Sequence, residues 1–324
     1  MSGMQWHSTS VDLEAVTTAL LGQLFRAARV SLARGWPATQ KAWVARVSVS
    51  APDAPQTVIV KWFAEGRRDA YMHEKAILVR LESFAISPHI LGSSDEDMLL
   101  AMDDLGDAVD VDALAEALAR LHEMTREHRW PVSRRPSVEQ MAERIAANMA
   151  RLGLTLRPDS ELLAAARVLA NSLRSLVHDD VLPGNCRRTP HSARVLDLED
   201  AAEGAAMIDA AAPVVGFPTA PEDVGWTAGD RTRFEQVYRR RACTWYPRWA
   251  DAHEYERDRA AAVAYWIGRA LSANVIDHLS RPGSGRAIAT RLRALGAVDQ
   301  LAGNYPVLAE AARQFSTRLA NADS

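Results

Sequence analysis

A lysine, a glutamate, two aspartates and an asparagine stand in this sequence at positions where side chains of these types do chemistry together. Lys61 lies inside TVIVKWF, and strand alternation puts it on the face of Ile59 and Phe63, with Val58, Val60 and Trp62 on the other. Both faces read as buried. A lysine in such a place loses hydration and requires an anionic partner; the alternative is an edge strand whose lysine reaches water along its own stem. Glu74 offers the partner. On a helix over residues 67–81 it has Tyr71, Ile77 and Leu78 three or four residues away and Leu81 seven away, so its carboxylate falls within the apolar stripe. A solvated Glu74 paired to a nearby arginine is the alternative.

The second group is HDDVLPGN, residues 178–185. An apolar strand with Leu176 and Val177 ends in a histidine and two acids, then a Pro-Gly turn and Asn185. Aspartates at a strand end are also ordinary turn formers. Twelve residues after Asn185 comes Asp197, in VLDLED, which reads as a polar residue inside an otherwise apolar strand. Asn185 and Asp197 offer the hard oxygen ligands that Mg²⁺ takes, with room left for water and phosphate oxygens. Asp180 is then free to orient or deprotonate a hydroxyl. A cation for phosphates, a metal and a carboxylate that presents the nucleophile are the requirements of phosphoryl transfer.

In this order and context the five residues make the sequence resemble the aminoglycoside phosphotransferase family, small-molecule kinases with a protein-kinase-like fold that are related to choline kinases. The likeness covers roughly residues 30–215. It rests on Lys61 in VIVKW, Glu74 in YMHEKAI, Asp180 and Asn185 in HDDVLPGN and Asp197 in VLDLED, with LLAMDDLG similar to the family's hinge and ALARLHEMT to the helix after it. The resemblance implies ATP and Mg²⁺ as cofactors and a small-molecule hydroxyl as acceptor. It implies Lys61, held by Glu74, on the α/β-phosphates, backbone groups near Asp103 and Leu105 on the adenine, Asn185 and Asp197 on the metal, and Asp180 as the catalytic base.

The family's loop usually reads H-G-D-L-H-P-x-N. Here Asp179 replaces the glycine, Val181 the leucine and Leu182 the second histidine. An acid beside the presumed base raises the pKa of one or the other by like-charge repulsion. His178 reads as loop support by hydrogen bonding. The stretch LARGWPATQKAW, expected to cover the nucleotide, holds only Gly35, so little of it has the freedom that lets backbone N–H groups approach phosphates. Together these departures leave a second class open, a catalytically silent kinase-like protein that binds nucleotide or a partner. Cys186 reads as a packed thiol.

The elements that must hold these residues follow from periodicity. A helix is expected over 10–28, then strands in KAWVARVSVS and TVIVKWF, the helix 67–81, and a short strand in DMLLAM. After DDLGD the pattern turns helical, with helices in VDALAEALARLHEMT, at 137–152 and at 159–176, then a short β interlude in LRSLVHDDVLPGNCRRTP and ARVLDLED, and helices again from 230 to the end with a break at RPGSG, 281–285. The fold class expected is α+β and bilobal, protein-kinase-like. Residues 1–103 form a small antiparallel-sheet lobe with one helix that binds nucleotide, and residues 104–324 a larger, mostly helical lobe for catalysis and substrate.

Composition excludes other roles. Over 324 residues the formal net charge is −3, too acidic for a chain that binds nucleic acid through a basic stripe. Two cysteines make no disulfide framework, and neither a signal peptide nor an eighteen-residue apolar stretch is present, so a cytoplasmic protein with no membrane span is expected. Only three of the 38 basic residues are lysines: Lys41, Lys61 and Lys75. Between 222 and 266, Trp226, Trp245, Tyr246, Trp249 and Trp266 are interleaved with Glu222, Asp223, Asp230, Asp251, Glu254 and Glu256. This reads either as a pocket for a cationic ligand or as core tryptophans with a solvated acidic face. The leading expectation for the acceptor is an aminoglycoside-like or other antibiotic or amino sugar, followed by a choline-like or other metabolite alcohol.

Overall fold

The structure, a computed structural model, describes residues 10–25, 29–35, 41–51, 54–107, 110–132, 135–190, 192–216, 225–273, 298–301 and 303–322. The chain divides into two compact units, residues 1–107 with 188–199, and residues 108–187 with 200–324. The second unit is thus interrupted by a twelve-residue segment that packs with the first. Among the described residues no helix is long and apolar enough to cross a membrane. The expected break at 281–285 lies outside the described residues.

The first unit is built on a five-stranded antiparallel sheet in the order β1-β2-β3-β5-β4. Its strands are β1 (Arg29–Gly35), β2 (Ala42–Ser50), β3 (Thr57–Phe63), β4 (Ile90–Ser94) and β5 (Leu99–Asp103). Three of these coincide with the sequence expectation. β1 and β4 do not, because neither has clean alternation: Ala33–Arg34 and Gly92 interrupt them, and both pairings shift register there. α1 (Ser10–Leu24) ends four residues before the expected 28, and its Leu20 and Leu21 join Val47, Val49, Val58, Val60, Leu99 and Ala101 in a core on one face of the sheet. A Cβ on Gly92 would collide with the Leu24 side chain, so a glycine is what lets α1 lie close on β4. α2 (Arg68–Leu81) carries the stripe Tyr71, Glu74, Ile77, Leu78 and Leu81, all buried, as its spacing predicts. Phe63 of β3 meets Tyr71 edge to face, with ring centroids 5.6 Å apart. That contact puts the Ile59–Lys61–Phe63 face of β3 beneath α2.

The second unit is helical: α3 (Val111–Thr125), α4 (Val138–Arg151), α5 (Asp159–Ala170), α6 (Met207–Ala211), α7 (Ala228–Ala242), α8 (Ala252–Ser272) and α9 (Pro306–Ala322). Polar side chains start these helices. Asp110 caps α3 at Ala113 N–H, and Ser137 with Gln140 and Thr227 with Asp230 form reciprocal capping boxes on α4 and α7. The helix expected to 176 stops at Ala170, where Asn171 turns its amide onto the Arg167 carbonyl, and the β interlude expected from LRSLV begins there as β6 (Arg174–Val177), paired antiparallel with β9 (Ala202–Ala205). Leu162 of α5 rests where a Cβ on Gly268 of α8 would come within 2.6 Å, so that glycine sets the closeness of the two helices. Trp249 and Trp266 are fully buried and donate to Asp258 and to the Ile208 carbonyl at 3.0 and 2.8 Å. They are core residues. The acids among them serve locally: Asp230 and Asp251 cap helices, Glu254 pairs with Arg248 and Arg257, and Glu256 with Arg259. Glu222 and Asp223 lie outside the described residues.

Candidate active site

In the first unit the central strand β3 fixes Lys61 between Val44 of β2 and Leu100 of β5. Lys61 is 5% exposed and Glu74 1%. The Lys61 Nζ donates to Glu74 Oε2 at 2.7 Å and to Asp197 Oδ1 at 2.5 Å. The other Glu74 oxygen accepts the Leu198 N–H at 3.3 Å, which ties the segment of Asp197 to α2. Burial opposes the charge on Lys61, but Asp197, Glu74 and Glu199 outweigh it and hold the ammonium above the ordinary lysine value. Burial, partly offset by Lys61, pushes the Glu74 carboxyl up. Asp197 does not sit in a strand. The short strands β7 (Cys186–Arg188) and β8 (Ala193–Val195) precede it, and Asp197 has φ +58°, a left-handed conformation that aspartate tolerates better than most residues. An apolar flank on either side hid that turn. The result is useful: Asp197 leaves the sheet and 37% of its side chain stays accessible.

Near the end of β5, the Asp103 N–H donates to the His89 carbonyl at 3.1 Å, and its carboxylate accepts the His89 N–H at 3.3 Å with Arg194 3.7 Å away. Asp103 is therefore tied into the unit by backbone and side chain. Two residues on, Leu105 is half-buried, and among the described residues no hydrogen bond engages its backbone. Arg46 of β2 reaches Asp104 at 3.0 Å and Asp107 at 3.2 Å, holding this segment from the sheet side.

In the second unit, β6 delivers the chain to His178. The loop after it hangs on one buried acid: Asp209 of α6 accepts the His178 N–H at 2.7 Å and the Asp179 N–H at 3.0 Å. His122 of α3 steadies Asp209 through Nε2 at 3.0 Å while its Nδ1 meets Tyr238 Oη at 2.7 Å. His178 itself is buried and its Nδ1 accepts the Asp180 N–H at 3.3 Å. Asp180 is half-buried. Asn185 donates Nδ2 to the Asp180 carbonyl at 2.9 Å and lies 3.4 Å from Asp180 Oδ2, which leaves its own Oδ1 as the acceptor end. Asp180 and Asn185 are thus brought together, as Lys61, Glu74 and Asp197 are in the first unit.

Asp179, the acid beside Asp180, is not available as a second base. It is buried with φ +62°, and its carboxylate is divided between Arg135 Nε at 2.8 Å and Arg269 Nη1 at 2.5 Å. Arg135 also reaches Asp200 at 2.8 Å, and Arg269 lies over the Trp266 ring at 4.4 Å. Sequence reasoning missed these arginines and Asp209, which lie 44, 90 and 30 residues from Asp179. Among 35 arginines no local signal marks two of them. Glu199 was missed as well, although it sits in the quoted VLDLED; it is buried, and one oxygen of each of Glu74, Asp197 and Glu199 lies within 4.8 Å of the others. This oxygen-only donor set, with Asp197 accessible, has the chemistry of a hard divalent cation, and so has the Asn185 Oδ1 in its own unit.

No protein-family model and no curated protein matches the sequence. Solved structures do match in fold. A choline/ethanolamine kinase family protein from Mesorhizobium loti superposes with a TM-score of 0.59 at 14% identity, over 94% of this chain and 99% of its own. A choline kinase from Streptococcus pneumoniae gives 0.54 at 15%, over 90% and 99%. An aminoglycoside phosphotransferase from Alicyclobacillus acidocaldarius gives 0.54 at 12%, over 93% and 96%. The helical unit, the antiparallel sheet and the near-complete coverage of each relative place the chain in the protein-kinase-like fold shared by choline kinases and aminoglycoside phosphotransferases.

Proposed function

We propose that the chain is an ATP-dependent small-molecule phosphotransferase that moves the γ-phosphate of ATP to a hydroxyl group. The observation that carries this reading is Lys61, buried in the sheet yet charged, with Glu74 at 2.7 Å and the accessible Asp197 at 2.5 Å. A buried lysine shared between a fully enclosed acid and an accessible one is suited to hand part of its hydrogen bonding to phosphate oxygens while Glu74 keeps it in place. Leu105 would offer its unengaged backbone to adenine, beside Asp103. Asn185 and Asp197 would hold Mg²⁺, which when bound neutralises phosphate charge. Asp180 would accept the proton of the attacking hydroxyl, with His178 and Asn185 fixing its backbone. The acceptor proposed first is an aminoglycoside-like or other amino-sugar hydroxyl; choline-like alcohols are the second class.

The test is ATP consumption by the purified chain with Mg²⁺ against a panel holding both classes of acceptor. One class is expected to raise turnover, and Asp180→Asn is expected to lower it by about 10²–10⁴-fold with an unchanged melting curve. ATP binding with no acceptor-dependent turnover would instead support the catalytically silent reading, to which Asp179 and the glycine-poor stretch after Leu32 lend weight.

A further inference from the structure

Glu199 is surrounded in a way that a structural ion pair does not require. Lys41 Nζ donates to its Oε1 at 2.6 Å, Arg67 lies 3.8 Å from the same oxygen, and Lys61 lies 3.8 Å from Oε2. Three cations from three places in the fold converge on one carboxylate whose side chain is 5% exposed. Among the described residues its Oε2 is nevertheless buried with no hydrogen-bond partner, the state in which a carboxylate is least well satisfied. Lys41 keeps 48% of its side chain accessible, and its carbonyl accepts the Ala64 N–H at 2.9 Å, so the ammonium reaches Glu199 from an anchored backbone. Among the described residues that meet here, Lys41, Lys61 and Arg67 face Glu74, Asp197 and Glu199. A divalent cation settling on the carboxylates would leave the basic groups in excess and in need of an anion.

We propose that Lys41 is a second phosphate-holding lysine of the nucleotide site, and that Glu199 is an internal anion that bridges Lys41 and Lys61 until a nucleotide's phosphates displace it. The inference rests on the nucleotide reading above. Two ammoniums set on opposite oxygens of one carboxylate match a ligand with anionic oxygens on adjoining phosphorus atoms, so the second lysine selects for a di- or triphosphate over a monophosphate. It also supplies positive charge directly after a stretch, LARGWPATQ, whose single glycine gives little backbone freedom for cradling phosphates. The side chain does the work that amides do in glycine-rich loops.

Titration calorimetry of the full chain with ATP and with AMP, in chelator and in Mg²⁺, tests this. Lys41→Met is expected to weaken ATP about tenfold, one charge-assisted contact, while AMP changes less than about twofold. Glu199→Gln is expected to tighten ATP in chelator, because a competing anion is gone. Lys61→Met is the control and must weaken ATP. If it does so and Lys41→Met does not, or if Lys41→Met weakens AMP as much as ATP, the role given to Lys41 is wrong and the nucleotide reading stands. Weaker ATP binding by Glu199→Gln in chelator would overturn the displaced-anion role. If the wild-type chain binds no ATP, or Lys61→Met binds it normally, the nucleotide reading itself fails. Circular dichroism melts of each variant establish that a loss is not unfolding; Lys41→Arg, which keeps the charge, must hold ATP better than Lys41→Met.

Discussion

Two clusters of opposed charges, one in each unit, are built for different ends. Around Asp179 the carboxylate is buried, and both of its oxygens are taken by guanidiniums at 2.8 and 2.5 Å. Around Lys61 the count of charges is similar but the satisfaction is not: Asp197 is accessible, Lys41 is half exposed and one Glu199 oxygen has no hydrogen bond among the described residues. Arginine forks saturate a carboxylate, whereas an ammonium shared among three acids leaves exchangeable places. A closed set of partners fixes a loop. An open one leaves room for a ligand.

The comparison breaks first at Asp179. Asp179→Ala leaves Arg135 with Asp200 alone and takes the carboxylate from the half-buried Arg269, and is expected to cost about 3–5 kcal/mol by urea denaturation. Asp179→Gly loses the same pairs but accepts the left-handed φ, and is expected to recover about 1 kcal/mol of that loss. Equal stability of both variants with the wild type would mean that the closed cluster holds nothing.

Lys61→Met comes next, at about 1–3 kcal/mol near neutral pH, because Glu74 has an escape that the arginines lack: it can take up a proton. Burial pushes its carboxyl above the ordinary value of 4.5, further still without Lys61, so the folded state binds that proton at a pH where the unfolded chain has lost it. Stability of this variant is therefore expected to fall as pH rises above 4.5 and to approach wild type as pH returns toward it. Denaturation midpoints across pH measure this. A flat difference would argue that Glu74 stays ionised and that the open cluster is as rigid as the closed one.

The smallest effect is expected at Asp104. Burial opposes its ionisation, but the Gly106 N–H, the Thr57 hydroxyl and Arg46 hold the carboxyl below the ordinary range. A depressed carboxylate stabilises the fold above its unfolded value of 3.8 and loses that contribution as pH falls through the folded one. Asp104→Asn should thus cost about 0.2–1 kcal/mol at neutral pH and nothing in strong acid.

What the sequence disclosed follows the range of each signal. Lys61 and Glu74 were legible because strand alternation and helix spacing act within a few residues, and a charge on an apolar stripe violates both. Asp180 and Asn185 were legible as a loop pattern. The two strands broken by Gly92 and by the Leu32–Arg34 irregularity were not, since a bulge erases the period that betrays a strand. Nor was the turn at Asp197, which depends on a backbone dihedral. Least legible were the partners of Asp179 and Glu199: Arg269 is 90 residues from the first and Lys41 158 from the second. Only the folded chain brings those charges together, and composition cannot choose among so many arginines.

Of the three lysines, Lys75 pairs with Asp95 near the surface, Lys41 with Glu199 half exposed, and Lys61 is enclosed. All three ε-amines lie within the first 75 residues. For a reagent read out at lysine ε-amines the chain is therefore a three-point ruler confined to the sheet unit, graded from open to shut. The large helical unit has no lysine to be acylated or cross-linked, so lysine labelling can follow the sheet unit without touching the rest.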